Sequence, residues 1–138
     1  MDSSKNTEQK KDKKATILII DDSVIILKTM QVMLKNEYRV ILSSDGIEGY
    51  RIAKSKQPDL ILLDYNMPDV DGEKTMMMLK DNSNTANIPV IFVSGVSDKD
   101  KILKVANLKP AGYLLKPVQK ENLVSVISQV LNSQGTEK

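Results

Sequence analysis

Apolar residues along this chain fall into two alternating patterns. Short continuous runs occur at Thr16–Ile20 (TILII), Val40–Leu42, Leu60–Leu63 (LILL), Val90–Val93 (VIFV) and Tyr113–Leu115. A run without period-two alternation marks a strand buried on both faces, as in a parallel sheet. Between the runs lie longer segments with helical spacing, at Val24–Asn36, Gly46–Ser55, Gly72–Asn82, Asp98–Asn107 and Gln119–Leu131. In the last, Leu123, Val126, Ile127, Val130 and Leu131 recur at three- and four-residue steps and make one apolar stripe. Pro68, Pro89, Pro110 and Pro117 stand at element boundaries, where a missing N–H is tolerated. Five strands alternating with five helices predict an α/β fold: an open, doubly wound, five-stranded parallel sheet. A closed barrel would need eight such units.

The flanks differ from this body. Residues 1–14 hold five lysines against Asp2, Glu8 and Asp12 and read as a disordered basic tail. Residues 132–138 read as a short polar tail, so the predicted domain spans 15–131. The tail accounts for the whole net charge of +2, and the body is neutral. A neutral body gives no general electrostatic reason to bind nucleic acid, and 4% aromatics leave little for base stacking, so direct DNA binding is not expected. The leader has no apolar run, and no stretch approaches the roughly 20 apolar residues of a membrane span. The chain is therefore expected in the cytoplasm, away from membranes.

Two residue types are absent altogether. With no Cys and no His, thiolate and imidazole chemistry is excluded, whether as nucleophile, metal ligand or phosphohistidine carrier. Acid, base and ligand work falls to Asp, Glu, Lys, Ser, Thr and Tyr, and any metal would be a hard cation with oxygen ligands.

The polar residues that end the apolar runs give that chemistry a place. The first run ends in Asp21-Asp22, the third in Asp64, the fourth in Ser94 and the fifth in Lys116. All strands of a parallel sheet end on one edge, and ligands bind outside those carboxyl ends. Singly, each residue has an ordinary explanation: Asp22 or Ser23 as a helix N-cap, Ser94 as another, Lys116 as a solvated loop residue. Together, three carboxylates repel one another unless a cation and a lysine offset them. Asp oxygens suit Mg²⁺, with Mn²⁺ as an alternative ion, and a carboxylate-bound cation beside an ammonium and a hydroxyl suits a phosphoryl group.

In this order and spacing the motifs resemble the receiver domains of two-component response regulators. The resemblance runs from about Thr16 to Leu131. It rests on Asp21-Asp22, on LLDYNMPDVDG from Leu62 to Gly72, on Ser94-Gly95, and on YLLKP from Tyr113 to Pro117. It implies the flavodoxin-like strand order 2-1-3-4-5 and a set of roles. Asp64 is the implied phosphoacceptor. Asp21, Asp22 and Asp64 are the implied Mg²⁺ ligands, with Asn66 adding its main-chain carbonyl. Lys116 would pair with a phosphoryl oxygen, and a cis Lys116–Pro117 peptide would aim it inward. Ser94 would hydrogen-bond the phosphoryl group, and Tyr113 would swing with the loop that Ser94 draws in. The implied donor is a histidine kinase or a histidine phosphotransfer protein. A downstream protein would read the face made by the fourth helix, fifth strand and fifth helix. No organic cofactor is implied. Such a domain is no enzyme beyond catalysing its own phosphorylation and dephosphorylation, and it works as a monomer or a weak phosphorylation-dependent dimer. The seven residues after Leu131 hold no DNA-binding or catalytic segment, so the sequence reads as a stand-alone receiver, with a piece excised from a longer protein as the alternative.

Some features depart from that pattern or exceed it. Lys109-Pro110 stands where a Gly-Ala step would end the fourth helix, so an early or irregular end is expected. Val24-Ile25-Ile26-Leu27 and Met76-Met77-Met78 place more apolar residues on consecutive helical positions than a stripe of roughly 100° can bury. Val24 and Ile25 are read as a docking surface for the phosphodonor, and Met77 or Met78 as part of a protein contact. Three other readings compete: a haloacid-dehalogenase-type phosphatase with an Asp nucleophile, a flavin or nucleotide binder, and a receiver that never takes phosphate. The first expects its nucleophile after the first strand, and the second a glycine-rich first loop.

Overall fold

Every predicted apolar run becomes a strand, and four of the predicted helices follow their strands as expected. A computed structural model of the chain describes residues 14–68, 70–95, 100, 103 and 106–136. The strands are β1 (Thr16–Ile20), β2 (Arg39–Ser43), β3 (Leu60–Asp64), β4 (Val90–Ser94) and β5 (Gly112–Leu115). The helices are α1 (Val24–Leu34), α2 (Gly46–Lys56), α3 (Gly72–Asp81) and α4 (Lys120–Thr136), with a 3-10 turn at Ala106–Leu108. All strand pairs are parallel, in the order β2-β1-β3-β4-β5. The helix expected at Asp98–Asn107 lies largely outside the described residues, as does the basic tail.

The alternation of side chains across each strand builds two cores. On one face Leu18, Ile20, Ile61, Leu63, Val90 and Phe92 pack against Ala53 of α2 and Met76 and Leu79 of α3. On the other, Ile17, Ile19, Leu60, Leu62, Ile91 and Val93 pack against α1 (Leu27, Met30, Leu34) and α4 (Leu123, Ile127, Val130). Both faces of the central strands are thus covered, which is why their sequences run apolar without alternation. β3 and β4 are buried along their whole length, whereas the edge strand β5 buries only Leu114.

Three helices begin with a side-chain cap in the loop that follows a strand's carboxyl end. Ser23 accepts from the Ile26 amide at 3.3 Å, Asp45 from Glu48 at 2.7 Å and Asp71 from Lys74 at 2.9 Å. Each satisfies an otherwise unpaired first-turn N–H. Ser23 does the capping on α1, which leaves the Asp22 carboxylate uncommitted to that job.

Two local expectations are refined. α4 runs through Thr136, past the Leu131 end predicted from its apolar stripe. Asn132, Ser133 and Gln134 are exposed and simply continue the solvent side of the helix, with no proline to stop it. The irregular end expected near Lys109-Pro110 takes a specific form. Lys109 itself adopts the left-handed conformation (φ 57°), and its N–H donates to the Ala106 carbonyl at 3.0 Å. A side chain with a Cβ carries a cost of about 1 kcal/mol there. Lys109→Gly is expected to raise unfolding stability by roughly 0.5–1 kcal/mol, measured as a shift in urea midpoint; a loss of stability would mean the lysine side chain contributes more than its backbone costs.

Candidate functional site

Strand register brings the polar run-ends together. Ile20 lies opposite Leu63, so Asp21 follows β1 beside Asp64 at the end of β3. Ser94 ends β4 opposite Leu115, so Lys116 follows β5 beside Ser94, and the Lys116 amide donates to the Ser94 carbonyl at 2.8 Å. Asp21 and Asp64 are 1% and 2% exposed, Ser94 is equally buried, and Asp22 is exposed. One carboxylate oxygen from each of Asp21, Asp22 and Asp64 lies within 4.8 Å of the other two.

Lys116 is the cation among them. Its Nζ donates to Asp64 Oδ1 at 3.1 Å and lies 3.4 Å from Asp21 Oδ2. The Asn66 amide also donates to Asp64 Oδ1, at 3.3 Å, and the Ser23 amide donates to Asp21 Oδ1 at 2.9 Å. The other oxygens, Asp21 Oδ2 and Asp64 Oδ2, are buried and accept no hydrogen bond among the described residues. The 3.4 Å approach to Asp21 is therefore an ion pair without hydrogen-bond geometry. The Lys116–Pro117 peptide is cis, as the family resemblance implied.

Burial dominates the electrostatics. It pushes the Asp64 carboxyl up to about 7, and the Asp21 carboxylate adds to the rise, while Lys116 and the Asn66 amide pull the other way. For Lys116, burial alone would depress the ammonium, but Asp64 and then Asp21 outweigh it and hold it above its ordinary value. One lysine does not neutralise three carboxylates. Two buried carboxylate oxygens without hydrogen bonds among the described residues, an exposed third carboxylate and an all-oxygen donor set fit a hard divalent cation that keeps part of its water shell.

The remaining candidates surround this cluster. Asn66 is exposed, two residues past Asp64. Tyr113, 43% exposed on β5, stacks on Phe92 with ring centroids 6.3 Å apart, and Phe92 in turn meets Tyr65 edge-on at 5.7 Å. A row of three rings thus joins the residue after Asp64 to the sheet edge.

Sequence reasoning missed Gly72 as a positioning residue. Its N–H donates to the Tyr65 carbonyl at 2.9 Å, and a Cβ there would stand 2.6 Å from both the Asp64 carbonyl oxygen and the Tyr65 Cα. Backbone cannot give way as a side-chain tip can, so only glycine lets the first turn of α3 rest on the end of β3. Gly72→Ala is expected to cost about 1–3 kcal/mol, read from urea unfolding; an unchanged midpoint would show that the α3 start can shift freely.

The chain matches the response regulator receiver domain family over residues 17–128. It is 32% identical over 118 residues to Protein PilH of Pseudomonas aeruginosa, covering 85% of this chain and 98% of that protein. It is 30% identical over 128 residues to the probable transcriptional regulator ycf29 of Porphyra purpurea, covering 88% of this chain but spanning only 61% of that protein. Among solved structures, it superposes on a response regulator receiver domain protein from Clostridium thermocellum with a TM-score of 0.83 at 28% identity, over 90% of this chain and 99% of the other.

Proposed function

This chain belongs to the response regulator receiver domain family of two-component signalling, and from that premise we propose that Asp64 accepts a phosphoryl group from a partner's phosphohistidine in a magnesium-dependent transfer. The observation that carries the reading is the pair of buried carboxylate oxygens beside Lys116, Asp21 Oδ2 and Asp64 Oδ2, that accept no hydrogen bond among the described residues. Oδ1 of Asp64 is held by Lys116 and the Asn66 amide, which leaves Oδ2 for the reaction. In the transfer an Asp64 oxygen forms a bond to phosphorus, the phosphorus–nitrogen bond to the donor imidazole breaks, and the freed imidazole nitrogen keeps the electron pair. Asp21, Asp22, Asp64 and the Asn66 carbonyl would hold Mg²⁺, which when bound offsets the charge of carboxylate and phosphoryl oxygens.

The chain's own groups then read the product. Phosphorylation replaces one carboxylate charge with nearly two on the phosphoryl oxygens. Lys116 exchanges its Asp64 contact for a phosphoryl oxygen, and the Ser94 hydroxyl donates to another. Ser94 moves the segment after β4, and Tyr113 follows, remodelling the face of β5, α4 and that segment for a downstream protein. The chain acts in the cytoplasm by protein contact; among the described residues no helix is long and apolar enough to cross a membrane.

Incubation with acetyl phosphate and Mg²⁺, followed by intact mass, tests the proposal. A base-labile gain of one phosphoryl group that vanishes with chelator is expected; no gain, or a gain indifferent to chelator, would overturn it. The donor surface has its own test. Ile25, 78% exposed two residues past Ser23, lies with exposed Val24 beside the carboxylate edge. Ile25→Asp is expected to slow transfer from a phosphohistidine protein roughly tenfold while sparing acetyl phosphate. Equal slowing with both donors would refute the docking role.

A further inference from the structure

The three rings beside Asp64 do more than fill the core. Phe92 lies opposite Leu63 on one side and Tyr113 on the other, and Tyr65 stands two residues past Leu63, so all three rings share one face of the sheet. Phe92 is fully buried between its neighbours. The Tyr65 ring meets it edge-on with the planes 76° apart, and Tyr113 stacks on it with the planes 20° apart. Both are arrangements that aromatic pairs favour.

The two ends of the row differ in freedom. Tyr65 is buried, and its main chain is tied on both sides. Its amide donates to the Val93 carbonyl at 2.9 Å, and its carbonyl accepts from the Gly72 amide at 2.9 Å. Tyr65 is therefore a fixed stop for the Phe92 ring. Tyr113, half-exposed on the edge strand β5, is the member with room to move. In the switch proposed above, Tyr113 follows the segment that Ser94 draws in. Ser94 lies two residues beyond Phe92, roughly 7 Å along β4. A ring travelling that way slides off the face of Phe92. The stack is given up in the movement, so its strength enters the equilibrium between the two positions.

On the reading of Asp64 as phosphoacceptor, we propose that Phe92 and Tyr65 are positioning residues that hold Tyr113 in the place seen here and so set the threshold of the switch. Phe92 supplies the face on which Tyr113 rests, and Tyr65 keeps that face turned toward it. Neither residue needs to touch the phosphoryl group. Loosening the stack enlarges the fraction of molecules already in the shifted arrangement, and a group that binds that arrangement better then binds more tightly overall.

Beryllium fluoride with Mg²⁺, a tetrahedral stand-in for the phosphoryl group, tests this by calorimetric titration into the full chain. Phe92→Leu keeps an apolar side chain in the core but offers no ring face, and should bind the probe about fivefold more tightly than the parent. Tyr65→Leu removes only the edge contact and should bind it about twofold more tightly. A role in packing alone would loosen the fold and leave the affinity unchanged or lower, so a gain separates positioning from packing. Equal or weaker binding by both variants, beside a parent that binds the probe, would overturn this inference and leave the phosphoacceptor reading standing. A parent that takes up no beryllium fluoride in the presence of Mg²⁺ would overturn both.

Discussion

Metal-free Asp64→Asn is expected to be more stable than the parent at pH 8, by roughly 2–4 kcal/mol. The folded Asp64 carboxyl sits at about 7, well above its ordinary value of 3.8, chiefly because burial disfavours its charge and Asp21 repels it. A folded state that binds a proton more tightly than the unfolded one is favoured at low pH. That contribution is complete below about pH 4, is lost progressively as pH rises to about 7, and is flat above. Asparagine keeps the shape of the protonated acid and carries no charge at any pH. The stability gap between variant and parent should therefore open between pH 4 and pH 7 and stay constant beyond. Added Mg²⁺ should close it by binding the parent's folded state more tightly than the variant's. Urea unfolding with chelator, then with Mg²⁺, measures all three. A variant no more stable than the parent at pH 8 would mean that Asp64 carries no electrostatic burden in the folded protein.

Lys116→Met should have the opposite effect on the metal-free protein and a larger one on the chemistry. Lys116 is the cation that contacts both Asp64 and Asp21, and those carboxylates are almost wholly buried. Removing one partner from a buried pair leaves charge uncompensated, a loss of about 3 kcal/mol, which here should shrink toward pH 5 as Asp64 takes a proton. Mg²⁺ should restore most of it, because the cluster then repels the ion less. Phosphorylation should still fall by about a hundredfold, since no ammonium remains to meet the phosphoryl oxygens. That combination, metal binding kept and transfer lost, separates a role toward phosphate from a role in folding. Undiminished transfer in a folded Lys116→Met would remove the lysine from the proposal.

The strand order and core were legible because a parallel sheet covered on both faces leaves a coarse trace: uninterrupted apolar runs with helical stripes between them. Strand ends were less so, because Arg39, Ser43 and Ser94 are polar residues that join the ladder without interrupting it. The carboxylate edge was readable for the same reason as the sheet, since Asp21, Asp64, Ser94 and Lys116 each directly follow a run and the topology sends every run to one edge. What the sequence could not show depends on distances between remote segments. Gly72 matters because Asp64 and Tyr65 backbone lies against it. Which oxygens of Asp21 and Asp64 accept no hydrogen bond among the described residues depends on where Lys116 and two backbone amides come to rest. The left-handed Lys109 was hidden because lysine gives no sign of that conformation, as glycine would. The far end of α4 carried no stop signal, and a polar helix surface resembles a tail.

The central claim is that one carboxylate, Asp64, becomes covalently phosphorylated. Reduction with borohydride after treatment with acetyl phosphate and Mg²⁺ tests it most directly, because an acyl phosphate is reduced to an alcohol while free carboxylates are not. Peptide sequencing by mass should find homoserine at position 64 and intact aspartate at 21 and 22. Homoserine at 21 or 22, or no reduced residue in a chain that has gained a phosphoryl group, would contradict the account.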